Sequence, residues 1–270
     1  SDRVFKILDR DENISDTGKN NKVDFKGNIQ FKDVHFSYVA DHAVLRGISF
    51  DVKQGQSVAF VGATGAGKTS IINVLARFYE IESGEVLLEG VNIKEFQLDL
   101  LRKNIAVVLQ DVFLFNDTIY GNISLGNTAI TKEQVIEAAK LIGVHEFISK
   151  LPGDYDYRVR ERGAMLSVGQ RQLLAFLRAY VYNPKVLILD EATSSIDTES
   201  EILIQKAITK LTEGRTSIII AHRLSTIKKC DNIIVLDKGL IVESGTHDEL
   251  ITRSGYYKKL YDYQFADVNV

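Results

Sequence analysis

The chain contains few of the residues that mark secreted, disulfide-bonded proteins. Among its 270 residues there is a single cysteine, Cys230, so no disulfide can form within the chain, and the sequence fits a reducing compartment. We interpret Cys230 as a small, partly buried residue ahead of a strand rather than as a reactive thiol. The two prolines and the absence of tryptophan place no constraint on the class of protein.

Long hydrophobic runs and an excess of positive charge are also missing. The longest apolar runs, such as Val186–Leu189, are far too short to span a membrane, and no signal-peptide pattern is visible. The 33 lysines and arginines are balanced by 36 aspartates and glutamates, which argues against a nucleic-acid-binding protein. A hydrophobic content of 45% and a charged content of 26% are typical of a soluble globular protein.

Hydrophobic patterning divides the chain near residue 26. Residues 1–26 combine a short amphipathic stretch, "RVFKILD", with a polar, turn-rich stretch typical of a linker. From Asn28 onward, "IQFKDVHFSY" alternates like a half-buried strand, and two more strands flank a Gln-Gly turn. Apolar strands then alternate with helices, apart from a mostly helical block at about residues 111–182. This pattern predicts an α/β fold, with a parallel sheet covered on both faces and an inserted helical lobe.

The segment "GATGAGKTS", Gly62–Ser70, carries the strongest chemical signal. It follows the apolar strand "SVAFV" and opens a helix predicted from Lys68 to about Tyr79, which is the context of a phosphate-binding loop. Lys68 supplies positive charge for the β- and γ-phosphates, and the Thr69 hydroxyl can ligate Mg²⁺. The flanking strand and helix disfavour the alternative, a glycine-rich turn with a surface lysine. The residues predicted to hold the nucleotide here are Gly62, Thr64, Gly65, Ala66, Gly67, Lys68, Thr69 and Ser70.

Polar residues end three further apolar strands. "VLILDE" ends in Asp190, whose carboxylate can hold the Mg²⁺ shell, and in Glu191, which can orient and deprotonate a water beside a γ-phosphate. Gln110 ends "IAVVLQ" and His222 ends "TSIIIAH", and the carboxyl ends of parallel strands meet at one crevice. Alternative roles stay open for these residues: Asp190 and Glu191 could cap the next helix, and His222 could be structural. Tyr38, ahead of the phosphate loop, either stacks on a base or is an ordinary strand residue.

A second helix start able to hold an anion lies in "AMLSVGQRQLLAF". Ser167 is the predicted N-cap, Gln170 is its capping-box partner, and Gly169 lets the backbone approach an anion closely. Within a single monomer this second site would be redundant with the phosphate loop.

The ordered motifs resemble the nucleotide-binding domain of ABC transporters over about residues 28–265. "GATGAGKT" is similar to the Walker A motif of that family, "VLILDE" to Walker B, "LSVGQ" to the signature, and "SSID" to the D-loop. Gln110, Tyr38 and His222 match its Q-loop, A-loop and switch positions. "ERGAMLSVGQRQ" and "SGTHDEL" resemble the exporter branch, in particular multidrug- or lipid-exporter-like half-transporters.

The resemblance implies a P-loop, RecA-like core with an antiparallel β-subdomain and a helical subdomain at about residues 111–178. Residues 27–270 would form the ATP-binding domain, and residues 1–26 a linker after a transmembrane domain. The implied catalytic residues are Glu191, His222 and Gln110. The implied Mg²⁺ ligands are Thr69, Gln110 and Asp190. Further implied nucleotide contacts are Tyr38, Ser167, Gly169, Gln170 and Asp197.

The implied activity is ATP hydrolysis that powers export across a membrane. In this family two domains dimerise head to tail, and each ATP lies between one Walker A motif and the partner's signature, which accounts for the second helix start. The expected partners are therefore ATP with Mg²⁺, a second ATPase domain in a homo- or heterodimer, and a transmembrane domain of the same polypeptide, but no nucleic acid. The expected location is the cytoplasmic face of the inner membrane, with this fragment alone soluble.

Three residues depart from the family pattern. Val168 and Arg160 stand where glycine is usual, and Ala63 replaces a common proline. Because the signature residues around Val168 remain, we expect a working contact. Two alternatives compete with export: an ABC-type ATPase acting on nucleic acid or in soluble assembly, and a non-hydrolysing regulator. The acidic balance and the lack of a long coiled-coil insertion argue against the first, and the complete catalytic set argues against the second.

Overall fold

The computed structural model describes residues 14, 16, 18–20, 23–190, 198–220 and 223–265. The strands are β1 (Ile29–Ser37), β2 (Ala43–Val52), β3 (Ser57–Val61), β4 (Ser83–Leu88), β5 (Val91–Asn92), β6 (Ile105–Val108), β7 (Asp117–Thr118), β8 (Arg158–Val159), β9 (Val186–Asp190), β10 (Thr216–Ile220), β11 (Asn232–Asp237) and β12 (Leu240–Gly245). The α-helices are α1 (Lys68–Leu75), α2 (Leu98–Asn104), α3 (Ile119–Ser124), α4 (Lys132–Ile142), α5 (His145–Ser149), α6 (Val168–Tyr182), α7 (Thr198–Thr212), α8 (Leu224–Ile227), α9 (His247–Thr252) and α10 (Tyr256–Phe265). Short 3-10 turns occupy Ile93–Glu95, Asp154–Asp156 and Glu161–Gly163.

A six-stranded central sheet has the order β12-β11-β3-β10-β9-β6. All its neighbouring strands are parallel except the edge pair β11 and β12, which is antiparallel. The parallel part confirms the sequence-based prediction. Strand β3, which leads into the phosphate loop, lies inside the sheet between β11 and β10.

The inner strands of this sheet are buried on both faces, which explains their unbroken apolar sequences. In β3, Val58 and Phe60 enter one hydrophobic core, whereas Ala59 and Val61 enter a second one. Strands β9, β10 and β11 alternate between the same two cores. The first core also contains α1 and the antiparallel sheet, and the second contains the helical block and α7.

A separate four-stranded antiparallel sheet has the order β2-β1-β4-β5. Strands β2 and β3 flank the predicted Gln-Gly turn, yet they belong to different sheets. Aromatic contacts join the two sheets, because the Phe50 ring stacks on Phe31 at 4.5 Å between centroids and meets Phe60 edge-on at 5.2 Å. This sheet therefore packs over the strand that precedes the phosphate loop.

The block predicted as mostly helical contains α3 to α6 and also the short antiparallel pair β7 and β8. Helix α4 begins with a capping box of Thr131 and Gln134, and it ends at Gly143 in the left-handed region with φ of 80°. Helix α6 packs on α3 and α4, and also on β6 and α7 of the central layers. The lobe and the central sheet are thus joined by one shared core.

Two local expectations were wrong. The helix predicted to reach Tyr79 ends at Leu75, because Arg77 adopts φ of 50° and the Phe78 N–H donates back to the Asn73 carbonyl at 2.8 Å. This is a helix-terminating arrangement of the Schellman type. Strand β6 ends at Val108, two residues before Gln110, which lies in an exposed bend.

Among the described residues, no helix is long and apolar enough to cross a bilayer. Cys230, predicted to be partly buried, is buried, and its thiol donates to the Thr226 carbonyl at 3.4 Å. His247, the first residue of α9, is held in the fold by Tyr257, whose hydroxyl lies 2.8 Å from the His247 Nδ1 atom.

Candidate nucleotide-binding site

The phosphate loop is shaped by three glycines in the left-handed backbone region. Gly62, Gly65 and Gly67 have φ of 152°, 81° and 106°. A Cβ at Gly62 would lie 2.2 Å from the Leu236 carbonyl oxygen, and one at Gly67 would lie 2.9 Å from the Leu45 side chain. A Cβ at Gly65 would meet nothing within 4 Å, so that part of the loop borders open space. Gly62 and Gly67 thus fit the loop to its neighbours, and Gly65 leaves room for a ligand.

The first turn of α1 fits an anion. Its N-cap is Gly67, which provides no side-chain hydrogen bond to the free N–H groups, and no acidic residue lies in this turn. Free N–H groups and the positive end of the helix dipole together attract phosphate oxygens. The loop is also tied to the hairpin of β11 and β12, because the Gly239 N–H donates to the Ala66 carbonyl at 3.1 Å. The sequence motif gives no signal for this hydrogen bond between Gly239 and Ala66, and sequence reasoning missed it.

Lys68 is buried, and its charge is only partly compensated. The ammonium donates to the Gly62 carbonyl at 2.7 Å and to the Ala63 carbonyl at 3.0 Å. Burial lowers the pKa of Lys68 below its ordinary value of 10.5, and the negative charge of Asp190 offsets part of that effect. A buried cation facing neutral carbonyls is stabilised further by an anionic ligand, so the site fits a phosphate chain.

Sheet register places Asp190 beside the phosphate loop. Ile220 of β10 pairs with Asp190 on one side and with Phe60 on the other, so Asp190 lies level with the last residues of β3. The neighbouring β6 is in register through Val108 and Leu189. Gln110 comes two residues after Val108, so it too lies beyond the carboxyl end of its strand.

Thr69, Gln110 and Asp190 offer the oxygen ligands that Mg²⁺ prefers. Thr69 is exposed on the first turn of α1, Gln110 is exposed, and Asp190 is half-buried. In the part of the chain that the structure describes, no three His, Cys, Asp or Glu side chains are grouped so that they could hold a metal alone. A Mg²⁺ ion here would therefore also need phosphate oxygens from a nucleotide.

The Tyr38 side chain lies against α1 and contacts two of its residues, Ser70 and Asn73. Its side chain is 45% exposed, and its ring meets Phe36 and Tyr79 edge-on, with centroids 4.7 and 5.0 Å away. Its hydroxyl oxygen is 3.1 Å from Ser70 Oγ and accepts a hydrogen bond from Asn73 at 2.8 Å. Asn73 and Tyr79 were missed by sequence reasoning, although Ser70 and Asn73 share the i, i+3 spacing of one helix face.

The second helix start has the predicted capping box. Ser167 Oγ accepts from the Gln170 N–H at 3.1 Å, and Gln170 Oε1 accepts from the Ser167 N–H at 3.0 Å. Ser167 and Val168 are exposed, whereas Gly169 is buried. No hydrogen bond or ion pair among the described residues joins this helix start to the phosphate loop. The remaining predicted site residues, Glu191, Asp197 and His222, lie outside the described residues.

Comparisons with known proteins agree with the motifs. The model of the ABC transporter family matches residues 45–194. The chain is 51% identical over 264 residues to a putative ABC transporter ATP-binding protein, exp8, of Streptococcus pneumoniae, covering 97% of this chain and 45% of that protein. It is 46% identical over 263 residues to a putative multidrug export ATP-binding/permease protein of Staphylococcus aureus, covering 97% and 46%.

A solved structure has the same fold. The structure of a bacterial Atm1-family ABC exporter with ATP bound matches with a TM-score of 0.89 and 38% identity, covering 98% of this chain and 46% of the exporter chain. The chain thus spans less than half the length of each of these relatives. With the family model covering more than half of its residues, the chain belongs to the ABC transporter family and carries its ATP-binding domain.

Proposed function

We propose that this chain binds Mg-ATP and hydrolyses it to drive export through a transmembrane domain of the same polypeptide. The observation that carries the proposal is the buried Lys68 ammonium. It lies near the carboxylate of Asp190, where the parallel strands of the central sheet have their carboxyl ends. Two curated relatives add support. One is named as an ABC transporter ATP-binding protein and the other as a multidrug export ATP-binding/permease protein. Both are about twice as long as this chain.

In this proposal the phosphate loop holds the triphosphate and the Tyr38 ring holds the base. N–H groups of residues 62–70 surround the β- and γ-phosphates, and Lys68 exchanges its two carbonyl partners for phosphate oxygens. Thr69, Gln110 and Asp190 would hold Mg²⁺, which neutralises phosphate charge during the reaction. The hydroxyl of Thr69 and the carboxylate of Asp190 match the ligands that P-loop enzymes use.

Glu191 follows Asp190 in the sequence and is proposed as the group that activates water. Its carboxylate accepts a proton as the water oxygen attacks the γ-phosphorus, and the bond from phosphorus to the bridging oxygen of ADP breaks. The products are ADP and inorganic phosphate. His222 follows the last residue of β10 by two positions in the sequence and is proposed to contact the γ-phosphate.

The test of this chemistry is Glu191→Gln, which keeps the shape of the side chain and removes its basicity. We expect unchanged ATP affinity, hydrolysis slowed by about 10²–10⁴-fold, and a larger fraction of closed dimer with bound ATP. ATP binding by fluorescence, phosphate release and size-exclusion chromatography measure the three quantities. Glu137→Gln on the exposed face of α4 is the matched control, with wild-type turnover expected. Near-normal turnover in Glu191→Gln would contradict the assignment.

An apolar groove supports the proposed transmembrane partner. A cavity of about 620 Å³ lies between α2, the segment after β6 and the end of α6. Leu109, Phe113 and Leu125 line it and are about half exposed. Exposed apolar surface of this kind marks an interaction site. We assign it to the part of the polypeptide beyond these 270 residues, since the relatives are about twice as long. This assembly would hold the chain at the cytoplasmic face of the membrane.

A second copy of the ATPase domain is the other proposed partner. The capped helix start at Ser167 is exposed and has no bond to the phosphate loop of its own chain among the described residues. In a head-to-tail dimer it would meet the γ-phosphate of the nucleotide held by the partner. The full capping box leaves this turn preformed for such a contact.

A further inference from the structure

The Tyr38 hydroxyl is tied to the helix that carries the phosphate-binding residues. Asn73 Nδ2 donates to the Tyr38 hydroxyl oxygen at 2.8 Å, and Ser70 Oγ lies 3.1 Å from the same oxygen. Ser70 and Asn73 are three residues apart on α1, and Lys68 and Thr69 immediately precede them. One short helix therefore carries both the phosphate-binding side chains and the two groups that hold the tyrosine.

The ring is fixed from other directions as well. Phe36 and Tyr79 meet it at interplanar angles of 81° and 90°, the edge-to-face geometry that aromatic pairs favour. The side chain still exposes 45% of its surface. Because Ser70 and Asn73 already use the hydroxyl, Tyr38 offers a base its ring surface rather than a hydrogen bond.

We propose that Ser70 and Asn73 are positioning residues for the nucleotide base, which act by holding the Tyr38 ring at a fixed place relative to the phosphate loop. This inference rests on the proposed stacking of the base on Tyr38. Base and triphosphate belong to one molecule, so a ring already placed at the right distance from the loop avoids the cost of ordering it on binding. Since stacking tolerates any base, ATP and GTP should bind with similar affinity.

Asn73→Ala and Tyr38→Phe test the proposal in the 270-residue chain. The affinities for ATP and for inorganic tripolyphosphate, both with Mg²⁺, are measured by calorimetry. We expect Asn73→Ala to weaken ATP binding about 3- to 10-fold, the effect of one lost hydrogen bond. Tyr38→Phe should weaken it at least as much, because it also removes the contact with Ser70. Both should leave tripolyphosphate binding unchanged. The double variant should bind ATP no more weakly than Tyr38→Phe alone, because Tyr38→Phe already removes the bond that Asn73→Ala removes.

Asn104→Ala is the matched control. It removes another asparagine hydrogen bond, from Nδ2 to the Leu100 carbonyl at 2.9 Å, on the neighbouring helix α2. Wild-type affinity for both ligands is expected.

Tyr38→Ala separates the two levels of the proposal. If its ATP affinity relative to tripolyphosphate is unchanged, the stacking role of Tyr38 is wrong. If Tyr38→Ala weakens ATP binding but Asn73→Ala and Tyr38→Phe do not, stacking stands and the positioning role is overturned. Equal losses for ATP and tripolyphosphate in Asn73→Ala would also overturn it, since Asn73 would then act on the loop and not on the ring.

Discussion

At the scale of single residues, substitutions of two glycines in the phosphate loop should have different main effects, one on stability and the other on ATP binding. A methyl group at Gly62 would collide with the backbone carbonyl of Leu236, whereas one at Gly65 would enter open space. We expect Gly62→Ala to reduce the free energy of unfolding by about 1–3 kcal/mol, because backbone has to move. Gly65→Ala should lose about 1 kcal/mol to its left-handed backbone but should weaken ATP binding more strongly, since the methyl group occupies ligand space. Thermal unfolding and ATP titration distinguish the two.

The expected contrast fails if Gly65→Ala binds ATP like the wild type, or if Gly62→Ala unfolds at the wild-type temperature. Gly55→Ala provides a control for backbone strain alone, because Gly55 also has positive φ, at 73°, and a Cβ added there would meet no atom within 4 Å. That turn lies outside the phosphate loop, so ATP affinity should not change.

The motif predicted which residues bind phosphate, but it could not distinguish their roles in the fold. The constraint on Gly62 comes from Leu236 on β11, and the partner of Tyr38 comes from Asn73 on α1. Both are tertiary contacts between segments distant in sequence. Residue types and spacing therefore predicted the site, and the structure was needed to show what fixes its geometry.

At the scale of elements, features set by one helical turn were predicted well. The capping box predicted at Ser167 is confirmed, and Thr131 and Thr246 form the same arrangement, which depends only on residues three positions apart. The division of β2 and β3 between two sheets was not predictable from alternation, which reports burial but not the strand partner. The short pair β7 and β8 has two residues in each strand, too few for a periodic signal.

A single carboxylate anchors the segment that leads into β1. The backbone N–H groups of Lys26, Gly27 and Asn28 donate to Glu89 Oε1, and the Asn28 amide donates to Oε2 at 2.9 Å. Burial works to raise the pKa of Glu89, but the hydrogen bonds from Asn28, Gly27 and Lys26 outweigh it and lower the pKa below 4.5. The carboxylate form is thus favoured by the fold.

Glu89→Gln should loosen this anchor. The amide keeps the shape but loses the charge-assisted bonds, so we expect a loss of about 1–2 kcal/mol of unfolding free energy at neutral pH. Since the folded pKa is depressed, the wild-type contribution is fully present above about 4.5 and is lost as pH falls through the lower folded value. The difference in stability between wild type and variant should therefore shrink below pH 4.5. Denaturant titrations at several pH values measure it.

Glu85→Gln on the adjacent strand β4 is the matched control, because that side chain is exposed. It should leave stability unchanged at neutral pH. A Glu89→Gln variant as stable as the wild type at neutral pH would show that the anchor contributes nothing measurable.

At the scale of the whole molecule, the two helix starts suited to anions lie in different layers. The first turn of α1 belongs to the core that includes the antiparallel sheet, and α6 belongs to the core that includes the helical lobe. The central sheet lies between these two cores. This separation is consistent with an arrangement in which each helix start completes a site on a different copy of the chain.

Mixing two inactive variants, Lys68→Ala and Ser167→Arg, tests that arrangement. In a mixed dimer with contacts in trans, one site inherits both lesions and the other combines an intact Lys68 with an intact Ser167. Mixing should therefore restore measurable ATPase activity that neither variant has alone. If Ser167 serves the nucleotide of its own chain, every site keeps one lesion and mixing restores nothing. Phosphate release is followed at high protein concentration, because a domain that dimerises weakly populates the dimer only by mass action.

Thr131→Arg controls for the lost helix cap in this experiment. Thr131 caps α4 with the same type of capping box, so both substitutions remove about 1 kcal/mol of capping, but only Ser167 is proposed to meet nucleotide. Thr131→Arg alone should keep its ATPase activity, whereas Ser167→Arg alone should be inactive despite a comparable melting temperature. A mixture of Lys68→Ala and Ser167→Arg that stays inactive, while mixed dimers are demonstrated by cross-linking of differently tagged chains, would rule out the contact in trans.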